Sequence, residues 1–193
     1  MKRKYEITDI CHTHYPELSR FRALRDIIRF NVKAGDLGGY IKHEGNLSHD
    51  GDCWIGGDAC VYDNAAVYGD AQVYDTAAVY GNAQVFENAK VFHNARVFEN
   101  TKVFGNAQIL NTGWVTQDAQ VYGYARVSGN AWIKGNAILN EHMKFSEEGN
   151  IMSSDQIYYV DRVTAYFNRY KILVIEGTAN PEYHETLARL KLS

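Results

Sequence analysis

Histidine is the residue type in this chain best suited to acid–base chemistry, because its side chain titrates near neutral pH. Of the seven histidines, His93 stands inside a regular repeat, in the segment VFHNA, where Gly or Asp is usual. A general base here would remove a proton from a substrate hydroxyl or amine. No partner for the imidazole is visible in the sequence, which favours a solvent-exposed corner residue. We therefore predict no catalytic residue and keep His93 as the alternative.

A second candidate is the segment CHTH, which contains Cys11, His12 and His14. These are metal-ligand residue types, and His12 and His14 would share one side of a strand. A tight site needs three or four converging ligands, so we predict an exposed polar loop and no metal. The glycines of AGDLGG, residues 34–39, lack the following helix with Lys-Ser/Thr that a phosphate-binding loop has. They predict a tight turn.

The overall composition excludes several classes of function. The 193 residues carry a formal net charge of −3, which gives no basic field for nonspecific binding of nucleic acid or anionic membranes. No apolar run reaches the ~20 residues of a membrane-spanning helix, and the start MKRKYEITDI lacks the apolar region of a signal peptide. Cys11, Cys53 and Cys60 have no metal-ligand spacing. We predict reduced thiols in a cytoplasmic protein.

The dominant feature of the sequence is a repeat with a period of six. Aliphatic residues occupy every sixth position from Ile55 to Leu139, and a small residue stands two positions before each. The aliphatic positions are Ile55, Val61, Val67, Val73, Val79, Val85, Val91, Val97, Val103, Ile109, Val115, Val121, Val127, Ile133 and Leu139. Because six is a multiple of two and not of 3.6, a strand keeps these residues on one side. The residues between units are mostly Gly, Asn or Asp, which adopt positive φ readily. The pattern predicts short strands and corners wound into a prism.

This repeat of an aliphatic residue, two corner residues and a small residue resembles the hexapeptide repeat of left-handed parallel β-helices. In that family three hexads form one triangular coil. The resemblance implies an all-β solenoid, with five coils in residues 53–142 and a left-handed winding that the period alone does not show.

The segments KYEITD, RFRALRDI, AGDLGGYI and NLSHDGDCWI, followed by hexads, narrow the resemblance to a group of hexapeptide-repeat proteins common in phage and prophage genomes. This group implies no established reaction. Other hexapeptide proteins are acyltransferases that use an acyl-CoA and a histidine base in a cleft between prisms. That resemblance implies His93 as the base and acyl-CoA as the cofactor. The uninterrupted register and the lack of a long loop favour a protein without an elaborated active site.

The regions on either side of the repeat have a different character. Residues 1–52 predict a cap with a strand at YEITD and a turn or short helix at ELSRFRALRDI, followed by an irregular first coil. Ile41 and Leu47 already have the spacing of one hexad, and the spacing then slips by two before Ile55. A cap is needed because an open coil exposes unpaired strand edges. Residues 143–193 predict a small α+β cap whose helix has Asn180 as its N-cap.

Aromatic residues follow most of the aliphatic positions and point outward from the prism. Three hexads per coil sort them into vertical ladders, one on each face. Ladder 1 contains Tyr68, Phe86, Phe104 and Tyr122; ladder 2 contains Tyr62, Tyr80 and Phe98; ladder 3 contains Tyr74 and Phe92. Stacked rings stabilise the sheet itself, and exposed rings mark interaction surfaces. Hexapeptide proteins commonly trimerise by packing prisms side by side, so ladder 1, with Lys102 beside it, is the predicted oligomer face.

Cations between the rings favour a further use of these faces. Arg96 beside ladder 2, like Lys90 and Arg126 elsewhere, would hold phosphates while aromatic rings stack on bases. The leading hypothesis is a non-catalytic, oligomeric scaffold, encoded by a phage and acting in the host cytoplasm. It would bind a host protein, such as a defence protein, or sequester a small ligand such as a nucleotide. A homotrimer is the expected assembly, and an acyltransferase is the alternative.

Overall fold

The computed structural model describes residues 3–140, 144–145, 149–153, 167–168 and 171–172. These residues form an all-β parallel solenoid of about six coils, which confirms the fold class that the repeat predicts. They contain no α-helix, and their two 3-10 helices span Ile28–Phe30 and Glu44–Asn46. The strands are β1 Tyr5–Cys11, β2 Ser19–Ala23, β3 Leu37–Ile41, β4 Trp54–Ile55, β5 Cys60–Val61, β6 Ala66–Val67, β7 Gln72–Val73, β8 Ala78–Val79, β9 Gln84–Val85, β10 Lys90–Val91, β11 Arg96–Val97, β12 Lys102–Val103, β13 Gln108–Ile109, β14 Trp114–Val115, β15 Gln120–Val121, β16 Arg126–Val127, β17 Ala131–Gly135, β18 Ile138–Leu139, β19 Lys144–Phe145, β20 Gly149–Ser153, β21 Phe167–Asn168 and β22 Lys171–Ile172.

Three parallel sheets make the faces of the prism. Face 1 contains β6, β9, β12, β15 and β18; face 2 contains β3, β5, β8, β11, β14, β17 and β20; face 3 contains β4, β7, β10, β13, β16 and β19. Within the regular coils each strand pairs with the third strand after it along the chain, as β8 does with β11, where Val79 is opposite Val97. Three hexads therefore make one coil, and each coil adds about 4.8 Å of height. The hand of the winding stays a prediction.

The core consists of the aliphatic and small positions that the repeat identifies. Val97 and Ala95, for example, are completely buried, and the same holds for their equivalents in neighbouring coils. Thr101 replaces an alanine and is also completely buried. Its hydroxyl donates to the carbonyl oxygen of Phe98 at 2.8 Å, so the buried polar group is satisfied. Each buried valine contributes about 1.5–3 kcal/mol relative to an exposed one.

The first corner residue of each hexad has a positive φ. These residues are Gly57, Asp63, Gly69, Asp75, Gly81, Glu87, His93, Glu99, Gly105, Asn111, Gln117, Gly123, Gly129 and Gly135. At such a position the left-handed backbone conformation costs a non-glycine residue about 1–2 kcal/mol of conformational free energy. Several of these side chains bond to the next coil: the Asp75 carboxylate accepts the backbone N–H of His93 at 3.0 Å. The Glu87 carboxylate accepts that of Gly105 at 2.9 Å.

The first coil is irregular in the way that the sequence predicts. Ile41 pairs with Val61 and Leu47 pairs with Val67, so in both pairs the sequence separation is longer by two than in the regular coils. Ile55 then pairs with Val73 at the regular spacing of three hexads. The additional length lies between Leu47 and Ile55.

The N-terminal cap is an antiparallel β-meander that extends face 2. Strand β1 is at YEITD as predicted, but ELSRFRALRDI contains β2 rather than a helix. The reason is its period of two, since Phe21 and Ala23 are buried and Arg22 between them is exposed. Ladder hydrogen bonds of β2 to both β1 and β3 stabilise the strand.

Side-chain donors of the cap satisfy backbone carbonyl groups of the first coil. The single proton of the Tyr5 hydroxyl is shared between the carbonyl oxygens of Leu47, at 2.8 Å, and Glu44, at 3.0 Å. The Arg20 guanidinium donates to those of Gly38 at 2.8 Å and Gly57 at 2.9 Å. A coil with no neighbour would leave such groups without partners, so the cap terminates the solenoid.

Beyond residue 142 the parallel pairing continues. Strand β19 pairs with β16, and β20 pairs with β17 up to Ser153. Strands β21 and β22 form an antiparallel pair. The rest of the predicted α+β cap, including the helix that would begin at Asn180, lies outside the described residues. In the part of the chain that the structure describes, no helix combines the length and the apolar character needed to span a membrane.

Candidate functional site

The aromatic residues of the three ladders stack on one another along the prism. In ladder 1 the ring centroids of successive members lie 4.8, 4.9 and 4.8 Å apart, with ring planes within 12° of parallel. In ladder 2 the distances are 5.0 and 4.8 Å. Ladder 3 has one stacked pair at 4.9 Å, followed by Leu110. The vertical order is therefore the one that a coil of three hexads predicts.

The rings of the ladders are half-buried rather than openly exposed. None of them is among the exposed large hydrophobic residues of the described part of the chain. The rings are less accessible than their outward position alone suggests, because each interior ring is covered on both faces by the rings of the coils above and below. What solvent reaches is mainly the ring edges. Stacking within the sheet accounts for most of this aromatic surface.

A different aromatic pair on face 2 has one exposed member, Trp132, and one half-buried member, Trp114. Trp114 and Trp132 occupy the outward position before the aliphatic residue and stack at 4.7 Å with planes 6° apart. Trp132 keeps 38% of its surface exposed. The Arg96 guanidinium lies 5.1 Å from the Trp114 ring centroid, and the Lys134 ammonium lies 5.8 Å from that of Trp132. We name these four residues the tryptophan patch.

The tryptophan patch joins one predicted site residue, Arg96, to three that the sequence reasoning did not select. The signal was available, because Arg96, Trp114 and Trp132 occupy the same position in successive coils and so must lie one above the other. The patch also adjoins ladder 2, since the Phe98 ring contacts that of Trp114 edge-on at 6.0 Å. Face 2 thus carries a continuous aromatic surface whose exposed end is Trp132.

Opposite charges occupy different parts of the prism. Acidic side chains of the coils lie at the corners, whereas Lys90, Arg96, Lys102 and Arg126 lie on the flat faces and are exposed. None of the ion pairs found among the described residues involves Arg96 or Lys134. The faces therefore present positive charge although the net charge is −3.

The phenols of ladder 2 remain uncharged at physiological pH. Burial raises the pKa of Tyr62 to about 12 and also raises the pKa of Tyr80, although Arg96 beside Tyr80 opposes that shift. Desolvation disfavours the charged phenolate in both cases. Ladder 2 therefore adds no negative charge that would repel an anion from face 2.

A shallow groove of about 530 Å³ lies at the corner between faces 2 and 1, and Glu99, Gln117 and Asp118 are among its lining residues. Asn82 and Asn100 also line it, and their side-chain amides bond to each other at 3.0 Å. The Asn100 amide continues the chain by donating to Asp118 at 3.1 Å. Because these polar groups bond along the corner, the groove is a structural amide ladder.

His93 lies at another corner, between faces 3 and 2, with φ of 58°. The expectation that its imidazole has no partner was wrong. Nδ1 lies 2.9 Å from the Asn111 Oδ1, and Nε2 lies 3.8 Å from the Asp75 carboxylate. Both partners occupy the equivalent corner of an adjacent coil, so the winding itself stacks them on His93. About half of the side chain is exposed, and it does not line the groove.

In the segment CHTH, Cys11 ends β1 and the residues after it form a bend, where the His12 ring contacts the Tyr40 ring of β3 edge-on at 4.6 Å. His12 Nδ1 accepts the backbone N–H groups of His14 at 3.1 Å and Tyr15 at 3.2 Å. Cys11 is an exposed free thiol. Within the described residues no three His, Cys, Asp or Glu side chains are grouped so that they could hold a metal ion.

Comparison with protein-family models finds none that matches this chain. Comparison with curated proteins also finds no match. The geometry defines the class of protein as a parallel β-solenoid with stacked aromatic ladders, and its function has to be inferred from its surfaces.

Proposed function

We propose that the protein is a non-catalytic binding scaffold that holds a small aromatic anion, such as a nucleotide, on the tryptophan patch. The observation that carries this proposal is the stacked pair Trp114–Trp132, in which Trp132 is exposed and a cation lies beside each ring. Resemblance of the N-terminal segments and hexads to phage and prophage hexapeptide proteins agrees with a role in sequestering a host ligand in the cytoplasm.

The chemistry of the tryptophan patch fits a base joined to phosphate. Indole rings stack on any base, and such stacking is worth about 1–3 kcal/mol per base. Arg96 and Lys134 have no carboxylate partner among the described residues, so phosphate would not have to displace one. Both side chains are long enough to move from the indole faces to the ligand while remaining on face 2.

Tryptophan fluorescence provides the test, with ATP and adenosine as ligands. Trp54 is 6% exposed, so quenching by ligand would report on the other two tryptophans. We expect Trp132→Leu to weaken ATP binding about 5- to 150-fold, the equivalent of one lost stacking contact. Adenosine should bind more weakly than ATP to the wild-type protein.

The matched control uses cations of face 3. The double variant Arg96→Gln/Lys134→Gln should lose the preference for ATP over adenosine, whereas Lys90→Gln/Arg126→Gln should keep it. Equal effects of the two double variants would mean nonspecific charge attraction and would contradict the proposal. Absence of saturable quenching by ATP would also contradict it and would turn the search to a host protein as the partner of face 2.

The proposed assembly is a homotrimer that packs through face 1, as the resemblance implies. Lys102 is exposed on this face, in register with Gln84 and Gln120. Lys90 has an equivalent exposed position on face 3. We expect Lys102→Glu to dissociate the oligomer in native mass spectrometry and Lys90→Glu to leave it intact. A monomeric wild-type protein would exclude the trimer.

The second candidate function is acyl transfer from an acyl-CoA with His93 as the general base. The contact of His93 with Asn111 and its proximity to Asp75 favour this candidate, because a general base needs an oriented imidazole. The assay follows release of free CoA thiol from acetyl-CoA in the presence of amine and hydroxyl acceptors. Turnover that His93→Ala abolishes without loss of assembly would establish the enzyme. The scaffold predicts no turnover and unchanged ATP binding in His93→Ala.

A further inference from the structure

A lysine and a cysteine are buried together where the N-terminal segment meets the first coil. Lys4 and Cys53 are both completely buried. The Lys4 Nζ lies 3.0 Å from the Cys53 Sγ and donates to the Cys53 carbonyl oxygen at 2.9 Å. A third contact, to the Gly51 carbonyl oxygen, is 3.4 Å long. Cys53 stands in the small-residue position that alanine usually fills in later hexads.

The surroundings of the pair favour uncharged side chains. Burial lowers the pKa of Lys4 and raises the pKa of Cys53, and the attraction between the two groups opposes each shift only partly. Arg25 and Asp52 lie nearby and act on Lys4 in opposite directions. An uncharged amine keeps its nitrogen lone pair available for bond formation, which an ammonium ion does not.

We propose that Lys4 and Cys53 form an oxidative modification site, at which dioxygen joins the amine nitrogen to the thiol sulfur through one oxygen atom. This proposal is independent of the function proposed for face 2. One N–H bond, the S–H bond and the O–O bond break, and an N–O and an O–S bond form. The second oxygen atom leaves as water with the two hydrogens. Nitrogen and sulfur lose two electrons each, and dioxygen accepts all four.

The geometry suits this product because 3.0 Å between nitrogen and sulfur leaves room for a single bridging oxygen. Dioxygen is small and apolar, so it enters a protein interior more readily than a charged oxidant. The bridge would close a loop between residues 4 and 53 and tie the cap covalently to the solenoid. Thiol reductants should reverse it, since an oxidised sulfur of this kind remains reducible.

The test compares full-length protein kept under dioxygen with protein kept under argon. Both are unfolded in iodoacetamide, digested and analysed by mass spectrometry. We expect the aerated sample to contain the Lys4 and Cys53 peptides joined, heavier by one oxygen and lighter by two hydrogens than their sum. Dithiothreitol should separate them, and ¹⁸O₂ should place heavy oxygen in the bridge. Cys11 and Cys60 serve as internal controls and should be alkylated in both samples.

A stability measurement gives an independent readout. The bridged protein should unfold about 5–10 °C above the dithiothreitol-treated protein, by analogy with a disulfide that closes a loop of this size. Lys4→Met and Cys53→Ser should abolish this difference, whereas Cys60→Ser should retain it. Recovery of the two wild-type peptides only as separate, fully alkylated species after exposure to dioxygen would overturn the proposal, whatever the folding of the variants.

Discussion

Replacement of Phe86 by leucine tests whether stacking between coils stabilises the solenoid. Phe86 is stacked on both sides, 4.8 Å from the Tyr68 ring and 4.9 Å from the Phe104 ring, with planes 3° apart in both cases. Leucine is a suitable replacement because Leu110 occupies the equivalent position in ladder 3 and is only 3% exposed there. Phe86→Leu therefore removes two ring contacts without leaving a polar group or a gross cavity.

The expected loss follows from the number of ring contacts. A stacked aromatic pair is worth about 0.5–1.5 kcal/mol beyond the area that it buries, so Phe86→Leu should lower the free energy of unfolding by about 1–3 kcal/mol. Tyr74 has a single stacked partner, Phe92, at 4.9 Å. Tyr74→Leu should therefore cost about half as much.

Urea unfolding followed by circular dichroism measures both variants against the wild type. The comparison is informative because coils interact mainly with their neighbours, so the loss in Phe86→Leu reports on two coil interfaces and the loss in Tyr74→Leu on one. A variant such as Phe86→Leu that unfolds at the wild-type urea concentration would refute the reasoning. A cost for Tyr74→Leu equal to that for Phe86→Leu would show that side-chain volume, and not ring stacking, determines the loss.

Two further predictions concern pH and backbone conformation. The pKa of Tyr62 in the folded protein is raised to about 12, so its contribution to stability is present below pH 10 and lost as pH rises from 10 through 12. Between pH 10 and pH 12 the free energy of unfolding of the wild type should therefore fall by roughly 2 kcal/mol more than that of Tyr62→Phe. Urea unfolding at each pH measures both values. Gly51 has φ of 67°, and a Cβ there would meet the Gly69 carbonyl oxygen. Gly51→Ala should cost about 2–4 kcal/mol in thermal unfolding, whereas Gly35→Ala, at φ of 97° in open space, should cost only about 1–2 kcal/mol.

The coils could be predicted because the residue types within each hexad indicate its local structure. The aliphatic and small positions identify the core, and Gly, Asn and Asp between them identify the corners. The two additional residues between Leu47 and Ile55 could also be predicted, since Ile41 and Leu47 already have the spacing of one hexad. Nearest-neighbour architecture makes such reasoning sufficient, because most contacts join residues that are one coil apart.

The cap and its contacts could not be predicted in this way. Lys4 meets Cys53 after 49 residues of sequence, and Arg29 bonds to Asn88 at 2.7 Å after 59. No period relates these positions, so only the folded cap brings them together. The partners of His93 were predictable in principle, because Asp75 and Asn111 each lie one full coil away in the sequence.

In this solenoid the pattern of core residues repeats with every hexad, whereas the pattern of outward residues repeats only with every coil of three hexads. Removal of one hexad from the regular coils would place valine on valine and alanine on alanine, so the interior would survive the change. The same deletion would carry every outward side chain beyond it to the adjacent face of the prism, and the ladders would no longer match across the junction. Removal of three hexads, one whole coil, would preserve both, because strands pair at that interval. Length changes of a single hexad would thus keep the core pairing but lose ring stacking at the junction, so such variants would still fold, with lower stability, while the surface used for recognition is disrupted.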